Sequence, residues 1–209
     1  YTSKPTALFS NTQIENPNLM LEGMPNYRSG VDGLRVSNST KGGITFAAST
    51  TQNGIHMITV VLGVEAVDGD PYARFVATSS LINYVVRTFV SSIVVKEGDP
   101  YGKSKATIMD GKSETVLAVA KKDFYIVEKQ GSQTEPKVQF KSTQESFKAP
   151  VRTGTTLGKL HYTDPDKIGR GYLEDQEPTV DMVAGRTIEK SFFLKVWWNE
   201  FVRYVNEKL

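Results

Sequence analysis

Short segments of β-favouring residues, separated by turn residues, fill most of the chain after Val90. They read SSIVVKEGD, ATIMDGKSETVLAVA, FYIVEKQ, KVQFK, GTTLGKLHYTD and VDMVAG, with Gly, Pro, Asp and Ser between them at close intervals. Many short strands with frequent turn signals are typical of a small β-sandwich or barrel. The sequence therefore predicts a small all-β sandwich domain over residues 93–187.

The overall composition is that of a folded protein with balanced charge. Of 209 residues, 39% are hydrophobic and 23% are charged, and the formal net charge is +2. A nucleic-acid-binding protein normally concentrates Lys and Arg on one face, so this balance argues against that class. The chain has no cysteine, and its two histidines, His56 and His161, lack the spacing of a zinc site. We therefore expect no metal, no cofactor and no nucleic-acid partner.

An antiparallel hairpin is predicted before the β region. GITFAAST (43–50) and IHMITVVLG (55–63) flank Asn53-Gly54, which is a strong signal for a two-residue hairpin turn. The second segment reads as a largely buried strand. Residues 9–30 are polar and turn-rich with little periodicity, so no element is predicted there.

A helix is predicted to follow this hairpin, over residues 71–89. Apolar residues recur there at helical spacing, and Asp70 and Pro71 resemble an N-cap and a first-turn proline. Two strands and one helix do not make a complete core. We therefore expect residues 1–92 to be the C-terminal portion of a larger domain.

Residues 188–209 are predicted to form an amphipathic helix. At about 100° per residue, apolar side chains fill one half of its circumference, while charged side chains fill the other half with Phe192 and Val196 intruding. The apolar residues that define this face are Phe193, Leu194, Trp197, Trp198, Phe201, Tyr204 and Val205. Both tryptophans of the chain lie here, and tryptophan favours the membrane interface. We interpret the helix as an in-plane membrane anchor; docking on the β domain is the alternative.

Four motifs then occur in a fixed order. GVDGLRVSNSTKGGITF leads into MITVVLG, RFVATSSLINYV follows, APVRTGTTLGKL comes next, and FFLKVWWNEFVRYV ends the series. Together they resemble the low-molecular-mass penicillin-binding proteins, the serine-type D-alanyl-D-alanine carboxypeptidases of bacterial cell-wall maturation. That family has G-V-D-G-[LI]-K-T-G before a strand ending in V-[LV]-[LMN]-G, and A-P-x-x-x-G-x-x-x-G-x-L in its second domain. The resemblance implies an α+β, strand-rich fold: the C-terminal part of a transpeptidase-like domain (antiparallel strands plus a helix), the β sandwich and the anchor helix.

The resemblance places the K-T-G triad of the family on Arg35, Val36 and Ser37. In the family, the lysine supplies positive charge, the threonine hydroxyl bonds the substrate carboxylate, and the glycine lets the substrate run along the strand. Arg35 keeps the charge but cannot act as a proton-shuttling amine. Val36 lacks the hydroxyl, which costs a charge-assisted hydrogen bond of roughly 1.5 to 3 kcal/mol. Since Ser37 also adds a Cβ where close approach is expected, we expect a substrate-binding strand of weakened catalytic competence.

The nucleophile of the family lies in an S-x-x-K motif, and a second motif is S-x-N; both precede the triad. Neither occurs before Gly30, so we expect no catalytic residue in this chain. Without a nucleophile the acyl-enzyme of this mechanism cannot form. Tyr1 is not an initiator methionine, and we expect an internal fragment or processed product with those motifs upstream.

Two functions of different classes follow. The first is the C-terminal part of a carboxypeptidase that trims peptidoglycan stem peptides through an acyl-serine intermediate. The full-length protein would then bind stem peptides and β-lactams as a peripheral protein on the extracellular face of the bacterial cell membrane. The second is a non-catalytic, membrane-associated homologue that binds peptidoglycan or positions a partner.

Overall fold

The computed structural model describes residues 2–65, 70, 72–132, 137–164, 167–169, 171–172, 174 and 176–208. The chain divides into two compact units. Unit 1 comprises Tyr1–Ser91 and Val127–Gly131, and unit 2 comprises Ser92–Ile126 and Ser132–Leu209. The division of the sequence into domains at 1–92, 93–187 and 188–209 stays a prediction.

The described part of unit 1 contains five complete strands and one long helix. Its elements are β1 (Thr6–Phe9), β2 (Thr12–Glu15), β3 (Val31–Ser39), β4 (Gly43–Gln52), β5 (Ile55–Val64) and α1 (Ala73–Thr88). Strands β3, β4 and β5 form an antiparallel sheet in that order. Asn53 and Gly54 both have positive φ (51° and 75°), as a two-residue hairpin turn requires. The predicted β4–β5 hairpin is therefore confirmed.

The core of unit 1 lies between α1 and one face of this sheet. Phe46 of β4 meets Phe75 of α1 edge to face, with ring centroids 5.2 Å apart. The opposite face of β5 bears Ile58, Val60 and Leu62, which are 62%, 55% and 74% exposed. The expectation of a largely buried strand is thus wrong for this face. The reason is that, within the described part of the chain, α1 covers only one side of the sheet.

Strands β1 and β2 form an antiparallel hairpin that the sequence analysis did not predict. Ser10 and Asn11 connect them and adopt positive φ values of 44° and 66°. Every residue of both strands is exposed. Because neither face is buried, the sequence shows no alternation of polar and apolar residues that would have revealed the hairpin.

Helix α1 begins slightly later than predicted. Tyr72 occupies the N-cap position, and its side chain makes no capping hydrogen bond. Asp70 accepts a hydrogen bond from the Tyr72 N–H at 2.8 Å, so it shapes the approach to the helix without being its N-cap. Pro71, the predicted first-turn proline, lies outside the described residues.

The remaining elements are largely those of unit 2. They are β6 (Phe89–Val95), β7 (Pro100–Met109), β8 (Thr115–Ala120), β9 (Phe124–Lys129), β10 (Lys137–Ser142), β11 (Phe147–Lys148), β12 (Thr156–Thr163), β13 (Thr179–Ala184) and α2 (Phe193–Lys208). Six strands form one sheet in the order β10-β12-β13-β8-β7-β11, and β6 pairs with β9. Val95 and Phe124 from the small sheet share one hydrophobic core with Leu160 and Val180 from the large one. Two sheets around one core agree with the predicted sandwich, and the strands of unit 2 are called the β domain below.

The A-P-x-x-x-G-x-x-x-G-x-L pattern has a direct packing explanation in the β domain. Gly154 has a φ of +84°, which disfavours any residue with a Cβ. A Cβ added at Gly158 would lie 2.2 Å from the backbone carbonyl oxygen of Lys141 on the neighbouring strand. Leu160, which ends the pattern, is fully buried in the core. Gly158 is therefore required by the close approach of β10, Gly154 by the turn before β12, and Leu160 by the core.

Candidate functional site

The predicted substrate-binding residues lie in the middle of β3, which is an edge strand of its sheet among the described residues. Arg35 pairs with Ala47, Val36 with Phe46 and Ser37 with Thr45. An edge strand presents backbone N–H and C=O groups to which an extended peptide can add as a further strand. The structure thus brings the three residues together on a strand that could bind a peptide alongside it.

Alternation along β3 divides these three residues between two faces of the sheet. Val36 is half-buried and packs against the hydrophobic core of unit 1. Arg35 and Ser37 are exposed on the opposite face. The guanidinium of an exposed arginine offers a fork of hydrogen-bond donors that matches a carboxylate.

Arg74 of α1 contacts this strand and was missed by the sequence analysis. It is only 5% exposed, and its Nη1 donates hydrogen bonds to the carbonyl oxygens of Ser37 (3.1 Å) and Thr45 (3.2 Å). Its Nη2 donates to Oδ1 of Asn38. Arg74 therefore joins the first turn of α1 to the end of the β3–β4 hairpin, on the side of the sheet that Val36 faces.

The guanidinium of Arg74 is a buried charge. No ion pair to it occurs within the part of the chain that the structure describes, and burial lowers the pKa of its guanidinium. The signal in the sequence was its helical spacing: Arg74, Thr78 and Ile82 lie four residues apart and are all buried. A buried arginine on a helix needs hydrogen-bond acceptors. The helical spacing indicates that Arg74 is buried, but it cannot show which groups accept its hydrogen bonds.

The two histidines lie apart, His56 in unit 1 and His161 in unit 2. His56 is exposed on β5, with its Nε2 3.1 Å from Oγ of Ser49. Ser49 is only 7% exposed, so its hydroxyl is not presented to a substrate. His161 lies on β12. Among the described residues, no group of three or more His, Asp or Glu side chains could hold a metal ion.

The predicted anchor residues share one exposed face of α2. The most exposed members are Phe193, Leu194, Trp197, Trp198, Phe201 and Tyr204, and Val205 is half-buried. Trp197 and Phe201 stack with ring centroids 6.0 Å apart. No helix in the described part of the chain is both long and apolar enough to cross a bilayer.

Comparisons with known proteins found a matching family model and a curated relative. The family model described as "Penicillin-binding protein 5, C-terminal domain" matches residues 89–190. A curated relative, D-alanyl-D-alanine carboxypeptidase DacA of Haemophilus influenzae, is 26% identical over 133 residues, which are 63% of this chain and 32% of the relative.

Two solved structures resemble the whole fold. A peptidoglycan synthesis regulatory factor (PBP3) from Streptococcus pneumoniae is 44% identical, with a TM-score of 0.84, over 90% of this chain and 51% of that one. Penicillin-binding protein 5 from Haemophilus influenzae is 21% identical, with a TM-score of 0.59, over 90% of this chain and 50% of that one, and this likeness concerns the fold alone.

These matches cover the relatives only in part. The chain spans about half the length of the two structural relatives and 32% of the curated one. The matched residues 89–190 include all the strands of the β domain. Residues 89–190 of this chain thus match the C-terminal domain of penicillin-binding protein 5.

Proposed function

We propose that this chain is the C-terminal part of a D-Ala-D-Ala carboxypeptidase that trims peptidoglycan stem peptides through an acyl-serine intermediate. The observation that carries the proposal is the edge-strand position of Arg35, Val36 and Ser37, the residues on which the resemblance places K-T-G. The 44% identity to a peptidoglycan synthesis regulatory factor supports a role in the same process. This mechanism requires a serine nucleophile, and no S-x-x-K motif precedes Arg35 in these 209 residues.

The geometry of β3 suggests how a stem peptide would bind. An extended peptide lies beside β3 and exchanges backbone hydrogen bonds with it. Arg35, exposed on one face, bonds the terminal carboxylate of that peptide. Ser37 places a side chain where the family has only hydrogen, which narrows the approach of the substrate backbone. Arg74, through the carbonyl oxygen of Ser37, keeps this end of the strand in position.

We further propose that α2 attaches the protein to the extracellular face of the bacterial cell membrane as a peripheral anchor. The supporting observation is its exposed aromatic face, which contains both tryptophans of the chain. Amphipathic helices with aromatic residues on the apolar side lie in the plane of the interface.

Acylation by a β-lactam tests the catalytic part of the proposal. The full-length protein, incubated with a fluorescent penicillin, is expected to give a covalently labelled band. Prior incubation with unlabelled penicillin should abolish that band, and heat-unfolded protein should give none. Absence of a labelled band from well-folded full-length protein would overturn the active-enzyme proposal.

The second candidate is a non-catalytic, membrane-associated homologue that binds peptidoglycan or positions a partner. The replacement of all three K-T-G residues favours it, because the lysine amine, the threonine hydroxyl and the glycine that permits close approach would be lost together. Retention of the full-length protein on muropeptides and on liposomes is expected for this candidate. It fails if neither retains the protein and penicillin acylates it.

A further inference from the structure

Helix α2 has a buried residue as well as an exposed aromatic face. Val196 is only 6% exposed, whereas its neighbours Trp197 and Trp198 are 62% and 58% exposed. A valine on an isolated helix keeps much of its side chain in contact with water. The burial of Val196 therefore comes from protein that covers this side of α2.

An ion pair lies on the same side of the helix. Glu200 follows Val196 by four residues, so the two side chains lie one above the other. Oε1 of Glu200 is 3.3 Å from Nζ of Lys148, which belongs to β11 of the β domain. The stripe formed by the buried Val196 and the exposed Glu200 thus reaches the β domain through this ion pair.

The buried residue and the aromatic face lie on different sides of the helix. At about 100° per residue, Trp197, Phe201 and Trp198 lie about 100°, 140° and 160° around the helix from Val196. Glu200 lies between Val196 and Trp197, about 60° from the latter. Contact with the β domain therefore leaves the aromatic face open. Val196, the apolar residue that interrupts the charged half of the helix, therefore lies on the side that reaches the β domain.

We propose that α2 is a two-sided helix that is docked on the β domain before it meets a membrane and stays docked when it binds one. This inference rests on the proposed membrane attachment. The stripe through Val196 and Glu200 holds the helix, and the face through Trp197, Trp198 and Phe201 binds the lipid interface. The two contacts do not compete, since they use different sides of one helix.

Docking before membrane contact has a physical advantage. A helix of 16 residues is marginal when isolated in water, because its first turn is costly to form. A helix already ordered by the β domain meets the bilayer without that cost. It also fixes which side of the β domain faces the lipid, since the aromatic side chains cannot rotate independently of the domain.

Amide hydrogen exchange in the absence of lipid tests the docked state. In the full-length protein, α2 amides are expected to exchange many-fold more slowly than in an unstructured chain. Val196→Asp places a charge on the buried stripe and is expected to abolish this protection while leaving β12 and β13 protected. Glu200→Lys and Lys148→Glu should each lower it, and the double charge swap should restore it in part.

The proposal is overturned if α2 amides in the unaltered protein exchange as fast as unstructured peptide. It is equally overturned if Val196→Asp leaves their protection unchanged. The double variant Trp197→Ala/Trp198→Ala serves as the matched control, because it alters the opposite face and should keep the protection.

Binding to vesicles of phosphatidylglycerol and phosphatidylethanolamine separates this inference from the membrane proposal. The Trp197→Ala/Trp198→Ala variant is expected to lose vesicle binding while remaining docked. Val196→Asp is expected to bind vesicles more weakly than the unaltered protein. If loss of both tryptophans leaves vesicle binding unaffected, the membrane proposal fails. The amide hydrogen exchange of α2 would still decide whether the helix is docked on the β domain.

Discussion

Arg35, Val36 and Ser37 are neighbours in sequence but face two environments. Val36 faces the core on the side of Arg74, and Arg35 and Ser37 face outwards. A peptide lying beside β3 would meet the guanidinium of Arg35 from one face and the methyl groups of Val36 from the other. Under the proposed function, the threonine hydroxyl that Val36 replaces would lie on the side of the strand where the second cation, Arg74, is buried.

Arg74 is predicted to hold the end of β3 in place. Arg74→Met removes its donors to the carbonyl oxygens of Ser37 and Thr45 and to Asn38. Since hydrogen bonds from a charged group contribute about 1.5 to 3 kcal/mol each, and water can replace part of them, we expect unfolding free energy to fall by about 2 kcal/mol. Urea unfolding measures this.

Arg74→Lys is the matched control for that substitution. Lysine keeps the charge and one donor but not the planar fork that reaches several acceptors at once. An intermediate loss of stability is expected. Equal stability of Arg74→Met and the unaltered protein would contradict the assigned role.

His161 is predicted to make unit 2 less stable in mild acid. Burial, followed by the nearby Lys141 and Lys159, lowers the pKa of His161, while Glu177 opposes this shift. In the unfolded chain the pKa of this side chain is about 6.5, so His161 binds a proton more readily there than in the folded protein. The contribution of His161 to stability is therefore complete above about pH 6.5 and is lost as the pH falls through its folded pKa.

Urea unfolding between about pH 5 and pH 7.5 measures this dependence. His161→Gln should flatten the fall in unfolding free energy below about pH 6.5, because the side chain no longer titrates. An unchanged slope in that variant would assign the acid sensitivity to other groups.

Among the elements, the hairpins show where sequence reasoning succeeds. Asn53-Gly54 predicts the turn of the β4–β5 hairpin because both residues readily adopt positive φ. One face of each flanking strand is buried, which gives the sequence a recognisable pattern. Ser10-Asn11 adopts the same kind of turn without a strong signal. Strands β1 and β2 around it lack a buried face. Neither the turn sequence nor an alternation of polar and apolar residues could therefore predict them.

Gly158 is predicted to be indispensable to the pairing of β10 with β12. In Gly158→Ala the new Cβ would lie 2.2 Å from the carbonyl oxygen of Lys141, and backbone cannot yield as a flexible side chain does. We expect a loss of about 2 to 4 kcal/mol or failure of unit 2 to fold, measured by thermal unfolding.

Gly42→Ala provides the comparison for this substitution. Its added Cβ would meet only Oγ of Ser39, at 2.7 Å, and that hydroxyl can rotate away. A change within about 0.5 kcal/mol is expected for such a surface site. Similar losses in the two variants would contradict the steric explanation.

The aromatic face of α2 is predicted to carry membrane binding. Trp197→Ala with Trp198→Ala removes the two largest interfacial side chains, both more than half exposed. The full-length double variant is expected to shift from the membrane fraction to the soluble fraction. Its β domain should unfold at the same temperature as before, because the exposed rings make little contact with it. Unchanged membrane partition would contradict the anchor proposal.

At the scale of the whole molecule, the order of the four motifs was more informative about the family than any single motif. The strand pattern indicated the sandwich, and the motif order indicated the family, which the match over residues 89–190 supports. The sequence could not reveal which faces are covered: Ile58, Val60 and Leu62 are exposed although they read as a buried run. Nor could it show that Val196 is buried, because Val196 stands in the charged half of the predicted helix.

The central claim is that β3 binds the substrate of a penicillin-sensitive carboxypeptidase and that R-V-S weakens it. The direct test compares the rate of acylation by fluorescent penicillin in the full-length protein and in its Arg35→Lys/Val36→Thr/Ser37→Gly variant. The regained hydrogen bond, about 1.5 to 3 kcal/mol, predicts an acylation rate about 10- to 150-fold higher in the variant. Equal rates, or no acylation of either folded protein, would contradict the account.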